Sequence, residues 1–407
     1  MDLELGPHHA RLREDVRAFL DEHWPADDEK AFRRHAIDRG LIYRHVPREY
    51  GGSEQPTDPI ADDIIEQEFT ARRAPLGIVG EGPDMIVPTL LSQGTEEQRR
   101  EFIAPTLLGD IIWCQGYSEP SAGSDLASLK SRAELDGDEW VIHGHKVWNT
   151  GARNAHWMFG LFRTEPEIPR HGGLTFLLIP MDQPGIEVQP IKAMTGHQEF
   201  NEVFLEGART PVRYTVGGRG NGWAVSRSLL VHERNLMGFR SQQLFNNIID
   251  RARNTFIDGQ PALEDGALRR TLVDLEADLL AARYSRYRAL SNVERGNDPN
   301  AVLAGVVKKL HATGLVKRLV QVGIDLAGAD EALRDPGDAT VDLGRANEPG
   351  GWALNYMYTH AVAIGGGAPN IQRNIIGERG LGLPRDLRTP AAETARTSNP
   401  NRGDGPS

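Results

Sequence analysis

The chain has 407 residues, 39% of them hydrophobic and 25% charged, with a formal net charge of −11. Such totals describe a globular chain of two or three domains, or one large multilayer subunit, and the acidic balance argues against non-specific nucleic-acid binding. Cys114 is the only cysteine, which excludes an intrachain disulfide and a thiolate cluster for zinc or iron–sulfur.

The N-terminal MDLELGPHHARLRED lacks the basic n-region and apolar core of a secretory signal. No uninterrupted apolar run approaches the ~18–20 residues of a membrane helix. The expectation is therefore a cytoplasmic chain without a membrane span. Along residues 1–112 short amphipathic stretches alternate with loops. HHARLREDVRAFLDEHW places Leu12, Val16, Phe19 and Leu20 at helical spacing, and DPIADDIIEQEFTARR does the same with Ile60, Ile64, Ile65 and Phe69. VPREYGG (46–52) reads as a loop bounded by Pro and Gly. GTEEQRREFIAPTLLGD predicts a helix capped by Thr95, with an acidic first turn and a break at Pro105.

The pattern changes near Trp113. SRAELDGDEWVIHGHKVW predicts two strands around an Asp-Gly turn, and HWMFGLFRT, GLTFLLIP, GIEVQPI and EFNEVFLEGARTP follow as further short strands. From Gly222 the helical period returns in segments long enough for a bundle. The expected organisation is α+β: an N-terminal helical domain (1–112), a central β-barrel-like or sandwich domain (113–220), a C-terminal four-helix bundle (221–387) and a mobile tail (388–407) poor in apolar residues.

The strongest local signal runs from Tyr117 to Thr164. It contains Ser118-Glu119-Pro120, Ala122-Gly123-Ser124-Asp125, and Gly144-His145-Lys146-Val147-Trp148-Asn149-Thr150. These pieces, in this order and spacing, resemble the acyl-CoA dehydrogenase family. VPREYGG, GTEEQRREF, EFNEVFLEGARTP and IQRNIIGERGLGLPR (371–385) extend the resemblance over most of the chain.

The resemblance implies a helix–sheet–helix subunit that binds FAD, oxidises the Cα–Cβ bond of an acyl-CoA to a trans-2-enoyl-CoA, and passes electrons to an electron-transfer flavoprotein. It places Tyr117, Ser118, Trp148 and Thr150 around the flavin, with Thr150 near N5 and Trp148 packed on the ring. Ser124 falls where the family contacts cofactor and acyl-CoA. Hydrogen-bond donors fixed in such positions suit a ring that gains negative charge on reduction. Taken singly, the same residues read as turns and strand core.

Most relatives carry the α-proton base as a glutamate a few residues before Ile-Gln-Arg. Counting back from Ile371-Gln372-Arg373, that position here is Gly366. A minority carries the base on a helix of the C-terminal domain, just before an arginine, and Glu233-Arg234 in SLLVHERNLM matches that pattern. On a helix, Glu233 has Leu229, Leu230, Leu236 and Met237 as its i±3 and i±4 neighbours, an apolar setting that favours a carboxylate able to act as a base near neutral pH. The competing reading of Glu233 is a structural salt bridge. Arg234 is expected to position Glu233 or the CoA, and the Gly366 backbone N–H to polarise the thioester carbonyl.

The family's FAD contacts across subunits are only partly kept. Arg253, Thr255 and Phe256 are present, Ile257 stands where glycine is usual, and Ala368 replaces a threonine. A homodimer, a homotetramer, or an α2β2 heterotetramer with a related chain all fit this pattern. Two alternative functions follow: a catalytically incomplete partner subunit, and a flavin oxidase on the same scaffold. EGPDMIVPTLLSQG (81–94) is expected to border the acyl end, with Gly82 and Pro83 widening it. His143 and His145 read as polar strand positions, not as a metal pair, and GGRGNG (217–222) as a junction, not as a phosphate loop.

Overall fold

A computed structural model describes residues 6–168, 170–236, 241–294, 301–332, 346–348 and 350–384; the side chains of 234–236, 289–294, 301–302, 330 and 332 lie outside that description. The expected tail and the Arg234 side chain therefore fall outside the described residues.

Helices α1 (Pro7–His23), α2 (Glu29–Asp38), α3 (Pro59–Ala71), α4 (Val87–Gln93) and α5 (Glu96–Leu108) come first, and a π-helical turn at Glu81–Ile86 leads directly into α4. Asp28 and Asp58 cap α2 and α3 by accepting backbone N–H bonds, while Thr95 and Gln98 close a reciprocal capping box on α5. Helix α5 runs through Pro105 to Leu108, so the expected break is absent. Thr106 and Leu107 are buried, and burial of that last turn outweighs the backbone hydrogen bond lost at proline.

Strands β1 (Trp113–Gly116), β2 (Arg132–Asp136), β3 (Glu139–Val147), β4 (Trp157–Arg163), β5 (Leu174–Pro180), β6 (Ile186–Ile191), β7 (Phe200–Pro211) and β8 (Thr215–Val216) form one sheet, ordered β6-β7-β3-β2-β4-β5-β8. Strand β1 lies parallel to β4, in register from Trp113–Trp157 to Gly116–Gly160. The Asp-Gly hairpin between β2 and β3 is where the sequence places it.

Close packing fixes the middle of β3. A Cβ on Gly144 would stand 2.0 Å from Ser131 Oγ and 2.3 Å from Ser131 Cβ. Gly144→Ala is expected to destabilise the fold by about 1–3 kcal/mol, read as a lower midpoint in urea at unchanged slope.

Helices α6 (Gly222–Leu236), α7 (Ser241–Arg253), α8 (Gly266–Glu294), α9 (Ala301–Ala327), α10 (Ala329–Ala332), α11 (Gly351–Ile364) and α12 (Pro369–Ile375) complete the chain, with a small hairpin of β9 (Phe256–Ile257) and β10 (Gln260–Pro261) after α7. Leu244 and Ile248 of α7, Leu275 of α8, Leu319 of α9 and Trp352 of α11 share one buried core. Helix α6 belongs to a different core. Its Val225 and Leu229 pack with Ile86, Leu90 and Phe102 of the first helices and with Phe159, Phe176 and Leu178 of the sheet. All three parts of the chain therefore meet along α6, and that junction positions the site.

Candidate active site

Two loop segments leave the sheet side by side. Val147 N–H donates to Ser118 O at 2.9 Å, which ties the end of β3 to the segment after β1. Beneath them Lys146, fully buried, donates from Nζ to Glu119 Oε1 at 2.9 Å, Leu161 O at 3.0 Å and Tyr117 O at 3.2 Å. Glu119 also accepts from the backbone N–H groups of Lys130 and Ser131. Burial alone would raise the Glu119 carboxyl; Lys146 and these donors outweigh it and hold it below its ordinary value. The Ser-Glu-Pro turn is thus pinned by a satisfied buried ion pair. Asn149 is pinned as well: its side chain donates to Gln115 O at 2.6 Å, its N–H to Asn201 O at 3.0 Å, and its own carbonyl accepts from Asn201 Nδ2 at 2.9 Å.

On this base Tyr117 is buried, Ser118 and Thr150 are half-buried, and Ser124 is exposed. Trp148 is 60% exposed, in a left-handed backbone conformation (φ 64°), its ring edge-on to Phe200. The Tyr117 hydroxyl faces Ser226 of α6, yet neither oxygen makes a hydrogen bond of good geometry. Burial, with Glu233 adding to it, pushes the Tyr117 phenol up, so it stays a neutral donor.

Glu233 is half-buried on α6, one turn beyond fully buried Leu229 and partly buried Leu230. The side chains of Leu236 and Met237 are outside the described residues, so half of the expected apolar stripe is seen. Glu233 lies within electrostatic reach of Tyr117 and of a residue that the sequence reading missed, Glu81. Glu81 opens the π-helical turn, which packs against α6, β1, α4 and α5. Burial is the main cause that pushes its carboxyl up to about 7; Glu233 and Asp84 add to the shift, while the Thr150 side chain, hydrogen-bonding to it, opposes. Burial likewise pushes Asp84 up to about 6. From α11, the half-buried Tyr358 phenol is raised by burial and by Glu199 and Glu81.

Gly82 does not open a pocket. A Cβ there would meet Thr106 Cγ2 at 2.8 Å and Trp113 Cδ1 at 2.9 Å, so the missing side chain makes room for α5 and β1 instead of for an acyl group. Gly366 and Gly367 form a left-handed bend between α11 and α12, with φ of 65° and 107°. Fully buried Lys309 donates to Ala363 O and Gly367 O, and fully buried Gln372 to Gly366 O and Gly367 O. Arg253, Thr255 and Phe256 sit apart from this cluster. Arg253 pairs with Asp250 at 2.9 Å, the Thr255 hydroxyl donates to Arg251 O, and Phe256 is 70% exposed on the β9 hairpin. His143 is half-buried, and His145 pairs with Glu202 and stacks on Phe204.

Set against known proteins, the chain is an oxidoreductase by class: the N-terminal, middle and C-terminal domains of acyl-CoA dehydrogenases match residues 6–110, 114–208 and 220–381. It belongs to the acyl-CoA dehydrogenase family, whose members are flavoproteins. It is 36% identical to acyl-CoA dehydrogenase IpdE1 of Mycobacterium tuberculosis, over 90% of this chain and 91% of that one. Identity to IpdE1 of Mycolicibacterium smegmatis is also 36%, over 90% and 91%. A solved structure described as the Tcur3481-Tcur3483 steroid ACAD is 28% identical with a TM-score of 0.77, covering 95% of this chain and 100% of that one. The ChsE4-ChsE5 complex from Mycobacterium tuberculosis, 24% identical with a TM-score of 0.74 over 95% and 100%, shares the fold. No helix among the described residues is long and apolar enough to cross a membrane.

Proposed function

We propose that the chain is the base-carrying subunit of an FAD-dependent acyl-CoA dehydrogenase, with Glu233 as the base. The observation that carries this reading is that Tyr117 and Glu81, which in turn meets Thr150, converge on Glu233 from three parts of the chain. The residues fit a flavin. The buried Tyr117 and Ser226 oxygens lack partners of good geometry, and Ser118, Trp148 and Thr150 lie on the two segments that the Val147–Ser118 and Asn149–Asn201 backbone bonds pin.

FAD, when bound, supplies the acceptor for the β-hydride of the substrate. The chain does the rest. Glu233 takes the α-proton, so the Cα–H electron pair forms the new double bond as hydride leaves Cβ. The Gly366 N–H, held in its bend by Lys309 and Gln372, donates to the thioester oxygen as charge builds there. Tyr117, Ser118 and Thr150 would hold the ring, Ser124 would meet the thioester ligand, and Arg234 would help place Glu233 or the CoA. An electron-transfer flavoprotein would be the partner that takes up the electrons.

Exposed Arg253 and Phe256, with Thr255, suit contact with FAD bound to a neighbouring subunit. The two-component name of the solved steroid ACAD favours an α2β2 assembly with a related chain in the cytoplasm, and steroid-type acyl-CoAs as the first substrates to test. Anaerobic addition of straight-chain, branched and steroid-type acyl-CoAs to the purified yellow protein is expected to bleach the flavin bands with at least one of them. A colourless chain that gains colour only on mixing with its partner would identify a supporting subunit instead, and peroxide formation without an added acceptor would identify an oxidase.

A further inference from the structure

Helices α1 and α3 lie side by side, and their contacts run in step along the chain. His9 Nε2 meets Asp58 Oδ2 at 2.9 Å where both helices begin. Further along, Arg13 and Arg17 reach Glu68 at 2.6 and 2.8 Å, and Arg72 meets Asp21 at 2.8 Å at the far end. Phe19, Leu20, Ile65 and Phe69 fill the core beneath. The far end is thus secured by ion pairs and apolar packing, while the near end presents His8, His9 and Asp58.

Those three side chains form a donor set. One nitrogen from each imidazole and one oxygen of Asp58 all lie within 4.8 Å of one another, the only such group of His, Cys, Asp or Glu among the described residues. Consecutive residues of a helix ordinarily diverge. Here His8 and His9 occupy the first turn of α1, after Pro7, and their rings stand edge to face with centroids 5.2 Å apart. Asp58 divides its oxygens between two tasks. Oδ1 caps α3 by accepting the N–H groups of Ile60 and Ala61 at 3.1 and 3.0 Å, and Oδ2 is left to face His9. The cap orients the carboxylate as an outer hydrogen bond orients a metal ligand. Arg13, one turn along from His9, is turned to Glu68 and Gln67 and does not compete for Asp58.

The chemistry of the set selects the ion. Two imidazoles and one carboxylate suit a borderline divalent ion such as Zn²⁺ and are poor ligands for Mg²⁺, which prefers oxygen. Donors around tetrahedral zinc stand about 3.4 Å apart, from bonds of ~2.0–2.1 Å. His9 and Asp58 are already within that spacing, and exposed His8 is free to turn its ring inward. The metal would take the place of the hydrogen between His9 Nε2 and Asp58 Oδ2, the imidazole then carrying its proton on Nδ1.

We propose that His8, His9 and Asp58 form a zinc-binding site, open to water at a fourth position, that staples the start of α1 to the start of α3. None of the three belongs to the candidate active site, so the inference stands apart from the assignment of the base. The positive dipole ends of both helices face the ion and hold its affinity below that of a closed structural site.

Calorimetric titration of the EDTA-treated, flavin-loaded, full-length chain with zinc chloride tests the site. Wild type is expected to take up one strong equivalent of Zn²⁺, and its melting temperature to rise with zinc. His8→Gln changes an exposed side chain, and Asp58→Asn keeps a good cap for α3, so both should fold. Each is expected to lose on the order of 10- to 100-fold in zinc affinity, the scale seen for lost metal-site partners, together with the rise in melting temperature. His143→Gln, on the sheet, is the control and should match wild type. Absence of a strong zinc equivalent in wild type overturns the proposal, as does one equally strong in His8→Gln and Asp58→Asn. Zinc uptake that leaves the wild-type melting temperature unchanged overturns the staple. Magnesium chloride is expected to give no binding at the same concentrations, and binding as strong as that of zinc would overturn the choice of ion.

Discussion

Glu233→Gln in the flavin-loaded chain is expected to keep its yellow colour and its melting temperature while bleaching by acyl-CoA slows by roughly 10²–10⁴-fold. The amide matches the carboxylate in shape, so the packing of α6 through Leu229 against the sheet and the first helices stays in place. What is lost is the atom that receives the α-proton. Stopped-flow absorbance under anaerobic conditions separates the steps: a binding perturbation of the flavin spectrum should persist, and the slow loss of its main band should nearly vanish. Undiminished bleaching would move the base elsewhere, with Glu81 the first residue to examine. Retained binding with lost reduction would assign Glu233 to chemistry and not to substrate affinity.

The second large effect concerns stability. Lys146→Met is expected to cost about 3–5 kcal/mol in urea unfolding, because it leaves Glu119 buried and charged without its cation. Lys146 is fully buried and bridges the Glu119 carboxylate to the carbonyls of Tyr117 and Leu161. A double variant, Lys146→Met with Glu119→Gln, should recover much of the loss, since the stranded charge is gone. If the single variant unfolds as wild type does, the pair contributes no net stability. Because the same contacts hold the Tyr117–Glu119 segment, a surviving single variant should also release flavin more readily during dialysis.

The architecture was legible because its signals are local. Alternating strands around an Asp-Gly turn, a Thr95 cap with its acidic first turn and long apolar helical periods each specify an element from a few neighbours. Pro105 misled for the opposite reason. Its own backbone disfavours a helix, and only the distant core around Leu107 keeps the last turn wound.

The site divided in the same way. Tyr117, Ser118, Trp148 and Thr150 belong to ordered motifs, and the resemblance of those motifs made them candidates. Glu81 carried no such signal. In EGPDM a carboxylate beside Gly-Pro reads as a solvated turn, and its significance depends on a helix that follows much later in the chain. The Gly82 expectation failed because local sequence shows a missing side chain without showing that Trp113 and Thr106 fill the space.

The bend at Gly366 and Gly367 is secured from underneath by Lys309 and Gln372 through carbonyl oxygens, which every residue possesses. What these positions demand of a residue is therefore a dihedral angle and not a side-chain group. A Cβ on Gly367 would strike Gln372 Nε2 at 2.4 Å. A side chain added at this bend would therefore have to repay the strain of the left-handed backbone before it gained any contact.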